Sequence, residues 1–367
     1  MPSFSLGVLA VYMNNNKGLE ERSFFRQMII AGKNIDVDVY IFTPNNVDEQ
    51  NKRIYAHSFD STRNKWMRKW IAYPALFYDR TRYHSRERYR QVSQFKKRNP
   101  SMLFISAPLT NKWNLHQALV RKPSIKPYLP PTLLYTRFND LREELLKHKL
   151  VFVKPINGTG GRGILRIQRL VNGIYSIKGR TQSRRIIPEH RVNLPKLREM
   201  SIQMRLNKRF IIQQGLELRL RTGSVHDYRL LIQKNGDGNW EITGCVGRIG
   251  ASGSVTSNLH GGGRAMPMQK LLNIWFMNSK KATDVAADIH NFGYRLAEIL
   301  EAAYGRLCEL ALDIAVDRSG HIWLLEVNTK PAREIFARIG DQSTYHKAIR
   351  RPLEFAKWIY QSKTGVS

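Results

Sequence analysis

With 367 residues, 42% hydrophobic and 24% charged, the chain has the apolar content for two or three packed domains, which excludes a disordered polypeptide. Its 60 Lys and Arg against 29 Asp and Glu leave a formal charge of +31, so contact with something anionic is expected. Cys245 and Cys308 lie far apart without paired Cys or His spacing, which argues against a disulfide framework or a zinc site, and no apolar run reaches membrane-span length.

In chain order, LGVLAVYM, EERSFFRQMIIAGK and DVDVYIFTP read as strand, helix and strand, the βαβ unit that opens an α/β domain, and MLFISAP continues the pattern. The first residues carry no basic n-region before their short apolar run, so a soluble, non-secreted, cytoplasmic chain is expected. Residues 52–98 hold 14 Lys or Arg against 3 Asp or Glu, interleaved with Trp66, Trp70, Tyr73, Tyr78, Tyr83 and Tyr89. Such a stretch suits a polyanion or a solvated basic face around core aromatics. The second reading is favoured, because no homeodomain, zinc-finger or RNP-type signature accompanies it, and specific nucleic-acid binding is not expected. Prolines 123, 127, 130 and 131 mark a boundary region. From about residue 150 the pattern becomes hairpins: VFVKPI with GILRIQRL, RFIIQQGLELRL, DYRLLIQKNGDGNWEITGCVGRIG, and CELALDIAVDRSGHIWLLEVN. Helices are expected at ATDVAADIHNFGYRLAEILEAAYG and RRPLEFAKWIYQS.

Lys154 ends a strand-like run just before Gly158, Thr159, Gly160, Gly161 and Gly163. The glycines spell G-x-G-x-x-G, but GILRIQRL alternates like a strand where a dinucleotide fingerprint needs a helix. A Walker A loop fails because no Lys-Ser or Lys-Thr follows, and the H-R-D and D-F-G elements of a protein kinase are missing. Two readings remain: a plain flexible hairpin, or a hairpin tip whose backbone N–H groups approach phosphates with Lys154 as a point charge.

The hairpin LALDIAVDRSGHIWLLEVN bears on that choice. Pairing Val316 with His321 across the DRSG turn sets Asp313 opposite Leu324. One face then carries Leu310, Leu312, Ile314, Val316, Trp323, Leu325 and Val327 and is core. Asp313, Glu326 and Asn328 point from the other, among Ala311, Ala315, Ile322 and Leu324, with the two acids diagonal neighbours roughly 7 to 8 Å apart at the backbone. Isolated charges among apolar neighbours are costly. Two carboxylates and an amide oxygen suit Mg²⁺, which is preferred here to a solvated strand face.

Candidates for the rest of a nucleotide site lie between these segments. At Gln213, Gln214, Gly215 and Leu216 exposed backbone can pair with an adenine edge, and Glu217 with a ribose hydroxyl; an ordinary strand end fits as well. Asp227 and Arg229 are two apart on one strand face, so Asp227 either orients a phosphate-binding guanidinium or forms a surface ion pair. Arg248 is a similar candidate. Asn258 and His260 precede three glycines in a loop able to close over substrate and are acceptor-binding candidates; a surface histidine fits His260 equally, and no catalytic role is assigned to it.

The order of these parts is similar to the ATP-grasp superfamily, and most closely to its endospore coat-associated YheC/YheD-like branch, with LLEVNTKP and the glycine hairpin as the specific elements and YPALFYDR and NKWNLHQAL as matching N-terminal features. The resemblance implies an α/β ATP-grasp fold, nucleotide held between two β-rich lobes, with an N-terminal α/β domain over 1–110, a first lobe over 111–208 and a second over 209–367. It implies ATP and Mg²⁺ as cofactors. Lys112 and Lys154 become nucleotide lysines, residues 158–163 the loop over the β and γ phosphates, and residues 213–216 the adenine hinge. Arg229 and Arg248 become phosphate or intermediate contacts, Asp313, Glu326 and Asn328 the metal ligands, and Arg333 a candidate for the acceptor carboxylate. The chain departs from the pattern where Ala332 follows Pro331 in place of glycine, and in its long basic stretch from Arg180 to Arg209. The expected activity is an ADP-forming ligase of carboxylate–amine type on an anionic small-molecule or polymer acceptor, linked to the spore coat. Two alternatives stay open: a kinase of similar fold, and a non-catalytic polyanion-binding or coat protein.

Overall fold

The computed structural model describes residues 4–13, 18–82, 86–158, 160–183, 185–257, 259 and 262–364. Three sheets organise them. The first holds β1 (Phe4–Leu9), β2 (Val37–Phe42), β3 (Val47–Asp48), β4 (Arg53–Asp60), β5 (Lys65–Ala72) and β6 (Leu76–Asp79). Helix α1 (Arg22–Lys33) joins β1 to β2, which run parallel, as the sequence predicts. β6 lies parallel on the other side of β1. MLFISAP does not add a strand: it contributes a single bridge, Phe104 to Phe77. Helices α2 (Arg86–Arg98) and α3 (Lys112–Val120) lead out of this layer.

The second sheet contains β7 (Thr132–Leu134), β8 (Leu150–Pro155), β9 (Leu165–Arg169), β10 (Tyr175–Arg180), β11 (Ile186–Val192) and β12 (Phe210–Gln214), in the order β11-β10-β9-β8-β12-β7. Alternation along these strands buries Val151, Val153, Ile167, Ile177 and Ile212 against Leu141 and Leu145 of α4 (Phe138–Lys147) and Leu197 of α5 (Leu194–Gln203). The opposite face is left for Phe152 and Lys154. β12 falls beyond the expected boundary at 208, yet it pairs with β8 and β7.

β13 (His226–Lys234), β14 (Trp240–Ile249), β15 (Arg264–Pro267), β16 (Glu309–Val316) and β17 (Ile322–Asn328) make the third sheet, ordered β15-β14-β13-β16-β17. Two helices, α6 (Met268–Phe276) and α7 (Ser279–Tyr304), cover one face. Helical spacing puts Val285, Ile289, Phe292, Leu296 and Leu300 of α7 in the core, each such side chain contributing about 1.5–3 kcal/mol. The Asn278 side chain caps α7, accepting from the Lys281 N–H at 3.0 Å.

After α8 (Glu334–Arg338), the last helix α9 (Gln342–Thr364) returns to the first sheet, where Ile349, Leu353, Phe355 and Ile359 share a core with Leu6, Val8 and Ile41. It starts upstream of the predicted RRPLEF and continues through Pro352. A buried polar network also joins the outer sheets. Glu309 on β16 accepts from the Tyr78 hydroxyl, from Arg333, from Arg80 at 3.2 Å and from Gln233 at 2.9 Å. Arg80 in turn donates twice to Glu21. Among the described residues no helix is long and apolar enough to cross a membrane.

Candidate nucleotide and metal site

Charged residues singled out in the sequence bring the second and third sheets together. Lys154, near the end of β8, donates to Gln213 Oε1 at 2.6 Å, and the Gln213 amide donates to Thr132 Oγ1 at 3.0 Å. Burial pulls the Lys154 ammonium down to about 8; Lys112 adds to this, and Glu326, Asp313 and Asp227 oppose it. A lysine from the second sheet therefore lies within the field of carboxylates from the third.

The glycine hairpin is tied to the same place. Lys112 opens α3, whose cap is the Asn111 side chain accepting from the Asn114 N–H at 3.0 Å. Its backbone N–H donates to the Ile156 carbonyl at 3.3 Å. Its ammonium donates to the Gly158 carbonyl and stands 3.5 Å from Glu326 Oε1. Gly160 and Gly161 have φ of 65° and 75°, so two successive residues occupy the region L side chains avoid and the backbone curls into a turn. Thr159 lies outside the described residues, as do Asn258 and His260.

The metal hairpin differs from its predicted register. Val316 pairs with Ile322, and a shift between Asp313 and Ile314 makes Leu325 an extra residue. Asp313 is consequently directly opposite Glu326, closer than the expected diagonal, and Asn328 is opposite Ala311 on the same face. The shift also exchanges the apolar residues at the tip. Ile322 and Leu324 join the core, while Trp323 pairs with Ala315 on the carboxylate face.

Arg229 is also partnered differently. The residue opposite it is Asp313, to which it donates from Nε at 2.8 Å and Nη2 at 2.9 Å. Asp227 faces Arg248 instead and accepts two bonds, 2.7 and 2.6 Å. Arg248 reaches Asp313 as well, at 3.0 Å. Asp227, Arg248, Asp313 and Arg229 thus alternate in sign. Burial alone raises the Asp313 pKa, but the two guanidiniums outweigh it and hold the carboxyl below the usual range. The same pairing raises Arg248 despite its burial.

The donor set fits a hard divalent cation. Asp313 and Glu326 face one another with Asn328 alongside, all oxygen donors, and a carboxylate has about four lone-pair directions, more than its guanidinium partners use. Among the described residues no group of three or more His, Cys, Asp and Glu is placed to hold a metal ion.

At the expected hinge the Gln214 N–H is bonded to the Pro131 carbonyl at 2.9 Å and the Gly215 N–H to the Leu150 carbonyl at 2.8 Å, so neither points into the cleft. Gly215 is required: a Cβ there runs into the Leu150 side chain. Leu216 and Glu217 follow, with the Glu217 carboxylate exposed 3.8 Å from Arg219. Arg333 is a correction. Its Nε donates to the Ala348 carbonyl at 2.8 Å, Nη1 to the Pro331 carbonyl at 3.2 Å and Nη2 to Tyr78 and Glu309, so four of its five N–H donors are committed in the core and the buried side chain is not presented to an acceptor carboxylate. The sequence reading missed this Glu309 network. Tyr78 and Arg80 in YPALFYDR were its only signal.

A family model described as YheC/D-like ATP-grasp matches residues 101–359. The chain belongs to that family. The YheC/D-like chain is 27% identical over 336 residues to endospore coat-associated protein YheC of Bacillus subtilis (strain 168), covering 89% of each chain. Solved structures of the same fold include D-cycloserine synthetase DcsG (TM-score 0.55, 12% identity, 95% of this chain and 99% of that one). Another is ATP-grasp ligase PsnB complexed with minimal precursor, Mg and ADP (TM-score 0.51, 13% identity, 95% and 98%). The fold of this YheC/D-like chain is the α/β ATP-grasp fold.

Proposed function

We propose that this protein is an Mg²⁺-requiring, ADP-forming ligase that joins a carboxylate to an amine through an acyl phosphate. One observation carries the reading: the Lys112 ammonium sits between the Gly158 carbonyl and Glu326, so the glycine hairpin and the metal hairpin meet at one cation. A polyphosphate lying there meets Lys112 and Lys154 on one side and, on the other, Arg229 beside the Asp313, Glu326 and Asn328 oxygens. The latter three would hold Mg²⁺, which when bound neutralises phosphate charge. The adenine rests on the hinge that ends at Leu216. The three sheets support a three-part division, with β12 reassigned to the middle lobe and with Leu115, Leu119, Ile125 and Leu129 packed in the core of the third sheet instead.

In the first step a substrate carboxylate oxygen bonds to the γ-phosphorus as the bond to the β-phosphate oxygen breaks, releasing ADP. The amine then bonds to the acyl carbon, phosphate leaves and the amine proton passes to solvent. Phosphoryl transfer asks the protein mainly for position and charge, which the cations supply without a side-chain nucleophile. With Arg333 committed to the core, Arg82 replaces it as the cation for the acceptor: it is tied to Glu21 at 2.7 Å and to the Lys330 carbonyl at 3.3 Å, just beyond Asn328. The name of the relative, an endospore coat-associated protein, extends the reading to association with the spore coat.

The test is to incubate the protein with ATP, Mg²⁺ and candidate amino-acid or polymer acceptors, following ADP release and product mass together. An amide with free phosphate, lost in Asp313→Ala and Glu326→Ala, is expected. A stable phosphorylated product makes it a kinase. ATP turnover unchanged in both variants overturns the site.

A further inference from the structure

The β4–β5 hairpin takes no part in the nucleotide site. Its strands pair without a register break from Arg53 with Ala72 to Asp60 with Lys65. β5 occupies one edge of β4 along that whole length, and among the described residues it has no second neighbour, so it is an outer edge of the first sheet. A free edge offers a row of backbone donors and acceptors to another chain. The outer strand of the second sheet, β11, is interrupted by Pro188 and by a register shift opposite Ile177 and Gly179, devices that discourage such pairing. β5 has neither, and it carries Trp70, 51% exposed, and Met67, 42% exposed.

Tyr55 with Trp70, His57 with Arg68 and Phe59 with Trp66 form cross-strand pairs on one face. Guanidiniums already lie on these rings: Arg68 over Tyr55 at 4.1 Å, Arg53 over Trp70 at 4.5 Å, and Arg22 of α1 over Trp66 at 5.3 Å. A stacked guanidinium keeps its N–H rim for carboxylates, whereas a base needs a ring face that is open. Charge and geometry therefore favour carboxylates over nucleic acid. Arg53 shows the preference within the chain, holding Asp48 at 2.8 Å while stacked.

We propose that β5 is a docking edge for an acidic segment of another protein, which adds as a further strand and points every second side chain, Asp or Glu, at the Arg68 face. Main-chain bonds along β5 hold the segment, and the period-two carboxylates fix its register. This assignment is independent of the nucleotide site.

The probe is a fluorescein-labelled eight-residue peptide of alternating Glu and Val, titrated with the full-length protein and read by anisotropy. It is expected to bind. Substituting Lys for Glu should abolish binding, and Arg68→Glu should weaken it about tenfold or more while leaving ADP–Mg²⁺ affinity unchanged. Two further peptides, N-methylated at alternate residues in opposite phases, separate strand addition from simple charge attraction: one phase should lose about tenfold or more, since it alone removes the N–H groups that face β5. No binding by the parent peptide, equal binding by both methylated peptides, or tighter binding of an eight-nucleotide oligothymidylate would each overturn the proposal.

Discussion

Asp227 and Arg248 face each other across β13 and β14 and close a two-bonded ion pair away from water, with bonds of 2.7 and 2.6 Å. Removing one partner of a buried pair costs about 3–5 kcal/mol where the other charge is left alone, and toward the lower end here, where Arg248 keeps Asp313 at 3.0 Å. Asp227→Ala should lower unfolding free energy by that order in urea titrations. Since Arg248 also reaches Asp313, the variant should bind ADP–Mg²⁺ more weakly than its lost stability explains, measured calorimetrically at a temperature where it stays folded.

Lys154 gives a pH signature. Its folded-state value of about 8 lies below that of an unfolded lysine, so between about pH 8 and 10.5 the unfolded chain binds the extra proton. The stability this group withholds at neutral pH is recovered as pH rises through that window. Nucleotide binding runs the opposite way, because phosphates favour the charged ammonium. Affinity for ADP–Mg²⁺ should fall above pH 8 with proton uptake on binding, seen as a buffer-dependent enthalpy, and Lys154→Met should bind weakly without that dependence.

For Arg333 the expectation is a stability effect without a site effect. Arg333→Met leaves Glu309 facing Arg80 and Tyr78 with one cation fewer and should cost about 3–5 kcal/mol. Nucleotide affinity of the folded fraction should be unchanged. A normal melting profile with a selective loss of acceptor affinity would return Arg333 to the acceptor site.

Gly215→Ala tests the hinge. The added methyl meets the Leu150 side chain beside the Gly215 bond to the Leu150 carbonyl, so β12 must shift or β8 must yield. Overpacking of this kind costs about 1–3 kcal/mol. Adenine nucleotides should lose affinity by about tenfold, whereas inorganic triphosphate, which does not reach the hinge, should be unaffected.

These residues also show what a sequence can and cannot carry. That Asp313, Glu326 and Asn328 share one face was legible, because acids amid alternating apolar residues demand a reason. The bulge was not, since Ile322 and Leu324 or Trp323 and Leu325 give an apolar core face in either phase, so an extra residue leaves no mark on the pattern. The partner of Arg229 was misjudged for a related reason. Two residues on, a side chain shares the face, but the one directly across the ladder is nearer, and only the register reveals who that is. Arg333 and Glu309 lie beyond pattern altogether: a polar residue after a strand reads as solvent-facing until Tyr78, 255 positions earlier, is folded against it.

The Glu309 knot has a mechanical corollary. With Arg80 and Arg333 buried around it, and α9 wedged into both outer cores, the first and third layers behave as one anvil. Any opening of the cleft would have to come from the middle layer, which contributes no residue to that knot.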